Sequence, residues 1–147
     1  MSQERFLEYL KESTFARDAD KNIARRYLLD NLKYWLFATK TKSLCKEHDF
    51  VNILYFFSED HCPSCPNQGV LLTYFKKIFE DRLLIFPVNV DLEPNERMIK
   101  ILRTRYNITS YPSIVIDSER FEGIVPRNKL YAEICSKFRQ VPPECET

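Results

Sequence analysis

Apolar and polar positions follow two rhythms along this 147-residue chain. Residues 1–48 keep the helical one. The stretch ERFLEYLKES carries Phe6, Leu7, Tyr9 and Leu10, and a second run opens at Asp18 or Asp20 as N-cap. Apolar residues then recur at Ile23, Tyr27, Leu28, Leu32, Trp35 and Leu36, close to the helical period. From residue 50 the character changes. FVNILYFF, residues 50–57, is an almost unbroken β-prone run, the pattern of a central strand buried on both faces. PNQGVLLTYFKKIFED returns to helix, with Val70, Leu71, Tyr74, Phe75, Ile78 and Phe79 on one face. RLLIFPVNVD predicts a second strand, and PNERMIKILRTRY a second helix with Pro94 at its first turn. PSIVID and RFEGIV predict two short strands joined at DSE. RNKLYAEICSKF is a final helix and RQVPPECET a tail. The order after residue 50 is β-α-β-α-β-β-α. A parallel strand–helix–strand unit followed by a hairpin makes the sheet mixed, with helices on both faces.

Composition narrows the classes of function. Hydrophobic residues are 44% and aromatics 14%, so one domain can bury enough surface to offset chain entropy. The net charge is +1, from 22 basic and 21 acidic residues, which gives no general attraction to nucleic acid or an anionic membrane. Only two glycines occur, Gly69 and Gly123, which argues against Gly-rich phosphate loops. No run approaches the ~20 apolar residues of a membrane span. The first residues lack the apolar block of a secretion signal. A cytoplasmic location is therefore expected, unless the chain is a trimmed piece of an exported or anchored protein.

The candidate chemistry lies in FFSEDHCPSCPNQG, where Cys62 and Cys65 stand two residues apart between a strand and a helix. Taken alone, the pair fits a redox couple, half of a metal site or a coincidence of packing. Its surroundings resemble the thioredoxin-like superfamily over roughly residues 49–138. Three marks carry the resemblance: Cys-x-x-Cys between first strand and helix, Tyr111-Pro112 at the start of the third strand, and Gly123 near the last strand. The resemblance implies an α/β thioredoxin-like fold, a mixed sheet flanked by helices in residues 49–147; the chain's own pattern limits that sheet to four strands and precedes it with a helical extension in residues 1–48. It further implies that Pro112 is a cis-proline facing the cysteine pair.

The implied chemistry is thiol–disulfide exchange. A thiolate is the nucleophile, and the unpaired N–H groups of a helix N-terminus stabilise it. Cys62 takes the role of nucleophile and Cys65, one turn later, that of resolving thiol. Pro63, which has no N–H and a preset φ, suits a first helical turn, with Ser64 beside it. Tyr111 and Pro112 shape a groove in which extended substrate backbone would lie. His61 either favours the thiolate when protonated or is an exposed loop residue.

Several positions depart from the thioredoxin pattern. The buried acid expected six residues before the first cysteine is replaced by Phe56, and the nearest match to its lysine neighbour is Pro87. Glu59 and Asp60 would substitute only through water. The intervening dipeptide is Pro-Ser, and Pro66 follows the pair. Pro87 inside a strand also places RLLIFPVNVD at a sheet edge.

The remaining cysteines read as structural. Cys135 lies on an apolar helix face with Leu130, Tyr131, Ile134 and Phe138, and a buried free thiol is its preferred reading. The alternative pairs it with Cys145 and suits an oxidising compartment. Cys45 falls near the end of the extension. A metal centre would recruit His61 or His48 to Cys62 and Cys65, but there is no second Cys-x-x-Cys, so no metal ligand set is assigned. The aromatic groups at residues 34–37 and 55–57 read as core, and KKIFEDR and RTRY as solvated helix faces.

The expectation is a thiol–disulfide oxidoreductase acting on protein disulfides through its own dithiol, without a cofactor. Protein thiols and an upstream thiol reductase are its partners, with neither nucleic acid nor a membrane span; the oligomeric state stays open. The rival is a non-catalytic thioredoxin-like interaction module working through its helical extension.

Overall fold

The computed structural model describes residues 21–146. The expected helix around Phe6–Leu10 and the N-caps at Asp18 and Asp20 lie outside them. In chain order the elements are α1 (Lys21–Leu44), β1 (Val51–Phe57), α2 (Cys65–Phe79), β2 (Leu83–Asn89), α3 (Arg97–Tyr106), β3 (Ser113–Ile116), β4 (Glu119–Glu122) and α4 (Arg127–Ser136). Short 3₁₀ turns fill Glu80–Arg82, Val90–Asn95 and Pro143–Cys145.

The sheet order is β2-β1-β3-β4. β1 runs parallel to β2 and antiparallel to β3, and β3 pairs antiparallel with β4. The mixed four-stranded sheet predicted from the pattern is present, with Pro87 on the β2 edge. Asp117 turns the β3–β4 hairpin at φ 57°, in the left-handed region that Asp tolerates.

The central strand explains the layering. All seven residues of β1 are buried. Val51, Ile53, Tyr55 and Phe57 face one core, with Leu72, Phe75 and Phe79 of α2 and Leu130 and Ile134 of α4. Leu54 and Phe56 face the other, with Leu28, Leu32, Trp35 and Ala38 of α1 and Ile99 and Leu102 of α3. A strand covered on both faces has no polar side to show, hence its continuous apolar run. The N-terminal helix thus shares a core with the sheet. Arg139 strengthens that junction, since its guanidinium donates to the carbonyl of Lys42 in the last turn of α1 and to those of Cys45, Lys46 and His48 just past it.

Three expectations about helix faces need correction. Val70, 65% exposed, and Tyr74 lie outside the buried stripe of α2, which runs through Cys65, Gln68, Leu72, Phe75 and Phe79. Cys65 points into the core, and positions three, seven, ten and fourteen residues later share its side of the helix. The aromatic group at residues 34–37 is only partly core. Trp35 is buried, but Phe37 is 71% exposed and Leu36 and Ile23 are exposed too. Lys76, expected on a solvated face, is buried with its Nζ donating to the carbonyls of Glu80 (3.0 Å) and Leu83 (2.7 Å). Carbonyl oxygens just past the end of α2 thus accept from the buried ammonium.

Candidate active site

Cys62 and Cys65 are joined as a disulfide. The pair sits where β1 gives way to α2. Cys65 is the first residue of α2, Pro66 lies in its first turn and Ser64 is the N-cap. Cys62 therefore stands one turn ahead of the helix, and Pro63 lies in the turn rather than in the helix. The Cys65 N–H donates to the Cys62 carbonyl at 3.2 Å and closes that turn. Cys62 is 7% exposed and Cys65 2%, so both residues are buried, Cys65 the more completely. The Ser64 hydroxyl lies 3.8 Å from Cys62 Sγ. His61 and Pro63 are exposed beside them.

The other candidates arrive from β3. Ser113 pairs with Phe56 in the antiparallel ladder, so the Tyr111–Pro112 step falls at the end of β1 that leads to the cysteines. The Tyr111–Pro112 peptide bond is cis. Pro112 is buried and Tyr111 half-buried. Arg103 Nη1 donates to the Tyr111 hydroxyl at 3.2 Å, and Arg103 is itself held in a fork by Glu93, at 2.7 and 3.0 Å from Nη2.

Hydrogen bonds knit these segments together. Gly123, at φ 84°, donates its N–H to the Pro112 carbonyl at 2.8 Å. That left-handed conformation is why a glycine stands there. Gln68 is wholly buried on α2. Its amide accepts from the Val125 N–H at 2.7 Å and donates to the Val125 carbonyl at 3.3 Å. The Glu122 carboxylate accepts from the Thr109 N–H and from the hydroxyls of Thr109 and Ser110. Those bonds, the Thr109 N–H foremost, hold Glu122 below the usual carboxylate range. Tyr55 Oη donates to the Cys65 carbonyl at 2.5 Å. Burial pushes the Tyr55 phenol well above its ordinary range, so it remains a donor at any working pH.

Phe56, six residues before Cys62, is wholly buried. Glu59 and Asp60 are exposed; their backbone N–H groups donate to the carboxylate of Asp91 at 2.8 and 3.1 Å. Sequence reasoning missed Gln68, Asp91, Glu122 and Tyr55. Only Gln68 left a trace, as a polar residue three positions after Cys65 on a helix face otherwise apolar. Among the described residues, no group of three or more His, Cys, Asp or Glu side chains is arranged to hold a metal ion. No described helix is long and apolar enough to cross a membrane.

The preferred reading of Cys135 as a free thiol is overturned, because Cys135 and Cys145 form a second disulfide. The segment after α4 folds back through a 3₁₀ turn and brings the two residues together. Cys45, just beyond α1, is free and half-buried.

No family model matches the chain, and no curated protein matches it. Solved structures do. A thioredoxin-like protein from Clostridium perfringens is 19% identical, over 60% of this chain and 71% of its own, with a TM-score of 0.51. The fold is thioredoxin-like. A malarial protein is 24% identical over 60% of this chain and 97% of its own, with a TM-score of 0.50. At such identities the thioredoxin-like likeness concerns backbone architecture, and what the cysteines do must be argued from their surroundings.

Proposed function

We propose that the protein is a thiol–disulfide oxidoreductase acting on protein disulfides, with Cys62 as nucleophile and Cys65 as resolving thiol. The observation that carries this reading is the Cys62–Cys65 disulfide at the N-terminus of α2, at the sheet end where the Tyr111–Pro112 turn also lies.

In the reducing direction the Cys62 thiolate attacks one sulfur of a substrate disulfide. A mixed disulfide forms and one substrate thiolate leaves, taking a proton from solvent. The Cys65 thiolate then attacks Cys62 Sγ, the second substrate thiolate leaves, and the Cys62–Cys65 bond forms. Two electrons pass from the protein's dithiol to the substrate, and an upstream thiol reductase restores the dithiol. The helix N-terminus and the Ser64 hydroxyl favour the ionised first sulfur. Tyr55 fixes the Cys65 carbonyl and takes no part in proton transfer. With Phe56 in place of an acid, the proton of Cys65 goes to water, which makes exchange slower at low pH. His61, Pro63, Ser64, Tyr111 and Pro112 form the rim against which extended substrate backbone lies.

Turbidity from insulin reduction by dithiothreitol tests this, comparing native protein with Cys62→Ser. Loss of acceleration in the variant is expected, and Cys65→Ser should accumulate a mixed disulfide. Equal acceleration by native protein and Cys62→Ser would eliminate the enzymatic reading. One observation favours the rival reading of an interaction module. The first helix exposes Ile23, Leu36, Phe37 and Leu44 to solvent. A protein that accelerates nothing but binds a partner lost on Phe37→Asp would establish it.

A further inference from the structure

The four residues that link β1 to Cys62 are anchored to one side chain on a different strand. β1 and β2 run parallel with Phe57 opposite Asn89, so the segments that leave both strands emerge side by side. Asp91, two residues past the end of β2, turns its carboxylate onto the link. One oxygen accepts from the Ser58 hydroxyl at 2.7 Å, and the other from the N–H groups of Glu59 at 2.8 Å and Asp60 at 3.1 Å. Ser58 Oγ in turn accepts from the His61 N–H at 3.0 Å. Every backbone N–H from Glu59 to His61 therefore ends on Asp91, directly or through one hydroxyl. Asp91 is itself fixed, since its N–H donates to Asn89 Oδ1 at 3.0 Å, and Asn89 Nδ2 donates to Glu59 Oε1 at 3.1 Å. Ser58 is buried, so water competes poorly for this arrangement.

We infer that Asp91 is a positioning residue for the cysteine pair: by pinning Ser58–His61 it holds Cys62 at bonding distance from Cys65 and stabilises the disulfide over the dithiol. The inference rests on reading Cys62–Cys65 as a working redox couple. The physical ground is effective concentration. Cys65 is immobilised by α2 and by the Tyr55 bond to its carbonyl. Cys62 hangs on a link without regular secondary structure and would wander from it in the reduced state were its backbone free. Each conformation removed from the dithiol state raises the effective concentration of one sulfur at the other and favours ring closure. The role depends on hydrogen-bond acceptance rather than on charge. An asparagine amide at position 91 would still accept from Glu59 and Asp60 through its oxygen. Its NH₂ would face Ser58 Oγ, which can reverse its hydroxyl to accept.

The test is equilibration with defined mixtures of reduced and oxidised glutathione, with trapped thiols counted by mass. In that exchange two glutathione thiols are oxidised to one glutathione disulfide while the Cys62–Cys65 bond is reduced to two thiols. Asp91→Ala should shift the equilibrium toward the dithiol by about tenfold, which is about 30 mV less negative for this two-electron couple. Asp91→Asn should stay within about twofold of native, because it keeps most of the bonds. Ser58→Ala, which deletes one donor to Asp91 and the acceptor for His61, should shift the same way by a smaller factor and serves if Asp91→Ala does not fold. An unmoved equilibrium in a folded Asp91→Ala or Ser58→Ala overturns the inference. So does Asp91→Asn shifting as far as alanine, which would make the effect one of charge. The glutathione equilibrium exists whether or not the protein is an enzyme, so inactivity toward insulin would count against the proposed function and leave this measurement to judge Asp91 alone.

Discussion

The molecule holds two disulfides, and they do opposite things to the chain. Cys62–Cys65 closes a loop of sequence separation 3 between a strand and a helix; Cys135–Cys145 closes one of separation 10 and fastens the C-terminal segment to α4. Access does not distinguish their roles, because the first pair is the more buried of the two. What differs is the backbone on either side. Around Cys62 and Cys65 every segment has its own anchors, so the bond can open and close without loss of architecture. The tail is bonded through Arg139 and Gln140 to residues 42–49, but past that point it has few: apart from the disulfide, residues 141–146 are held to the rest by the Tyr131 hydroxyl, which donates to the Glu144 carbonyl at 2.7 Å, and by the ion pair of Arg82 with Glu144. A bond whose surroundings stay put on breaking suits exchange chemistry; one that substitutes for missing anchors suits structure.

The strongest way to break this comparison is to remove each bond separately. Cys135→Ser should leave insulin reduction within about twofold of native, whereas Cys62→Ser should remove it, since only the Cys62 thiolate attacks the substrate disulfide. On stability the order reverses. Closing a ten-residue loop is worth roughly 2–3 kcal/mol by chain entropy, and a three-residue loop distinctly less. Cys135→Ser should therefore lower the denaturant midpoint more than Cys62→Ser does, and equal losses would refute the division of labour. A smaller effect is expected from Gln68→Leu. That change leaves the buried N–H and carbonyl of Val125 unpaired, at a cost of about 2 kcal/mol. It should also slow exchange, because the segment 123–125, which bonds Pro112 through Gly123, loses its hold on α2. Unfolding and turnover measured on the same preparation would check both.

The smallest effect concerns the tail's ion pair. The Arg82 guanidinium holds the Glu144 carboxyl below the usual carboxylate range. Its folded pKa is thus below the unfolded one, so the contribution is present at neutral pH and is lost as pH falls through the folded value. Glu144→Gln should be slightly less stable than native at pH 7, and the two unfolding midpoints should converge in acid. Both side chains are about one third exposed, so the difference at pH 7 should be well below that of Cys135→Ser. A gap that widens in acid would show that the pair does not stabilise the tail.

Much of this was legible in the sequence because it depends on local rules. Element order, the central buried strand, the edge position of the Pro87 strand, and the Cys-x-x-Cys between strand and helix all follow from periodicity and turn chemistry. Helix phase was less legible. Val70 and Tyr74 have the hydrophobicity of core residues, but the stripe of Leu72, Phe75 and Phe79 is the one packed into the core, a choice made by contacts with the sheet rather than within the helix. Anchors such as Asp91 and Glu122 were hidden for a stronger reason. Their carboxylates meet backbone donors 31 or 32 and 13 residues away, and nothing in a linear pattern says which strand ends will emerge side by side. The Cys135–Cys145 pairing was open on the same ground, since it required the tail to reverse direction.

Pro87 has a consequence beyond topology. An open rim of a sheet is where a stray strand, from another copy or a misfolded chain, can zip on and seed fibres. β2 is the edge strand among the described residues, and at Pro87 its imide nitrogen carries no hydrogen, so an added strand would meet a gap in the row of donors. A backbone nitrogen without a hydrogen thereby limits how regularly any further strand could continue the sheet beyond β2.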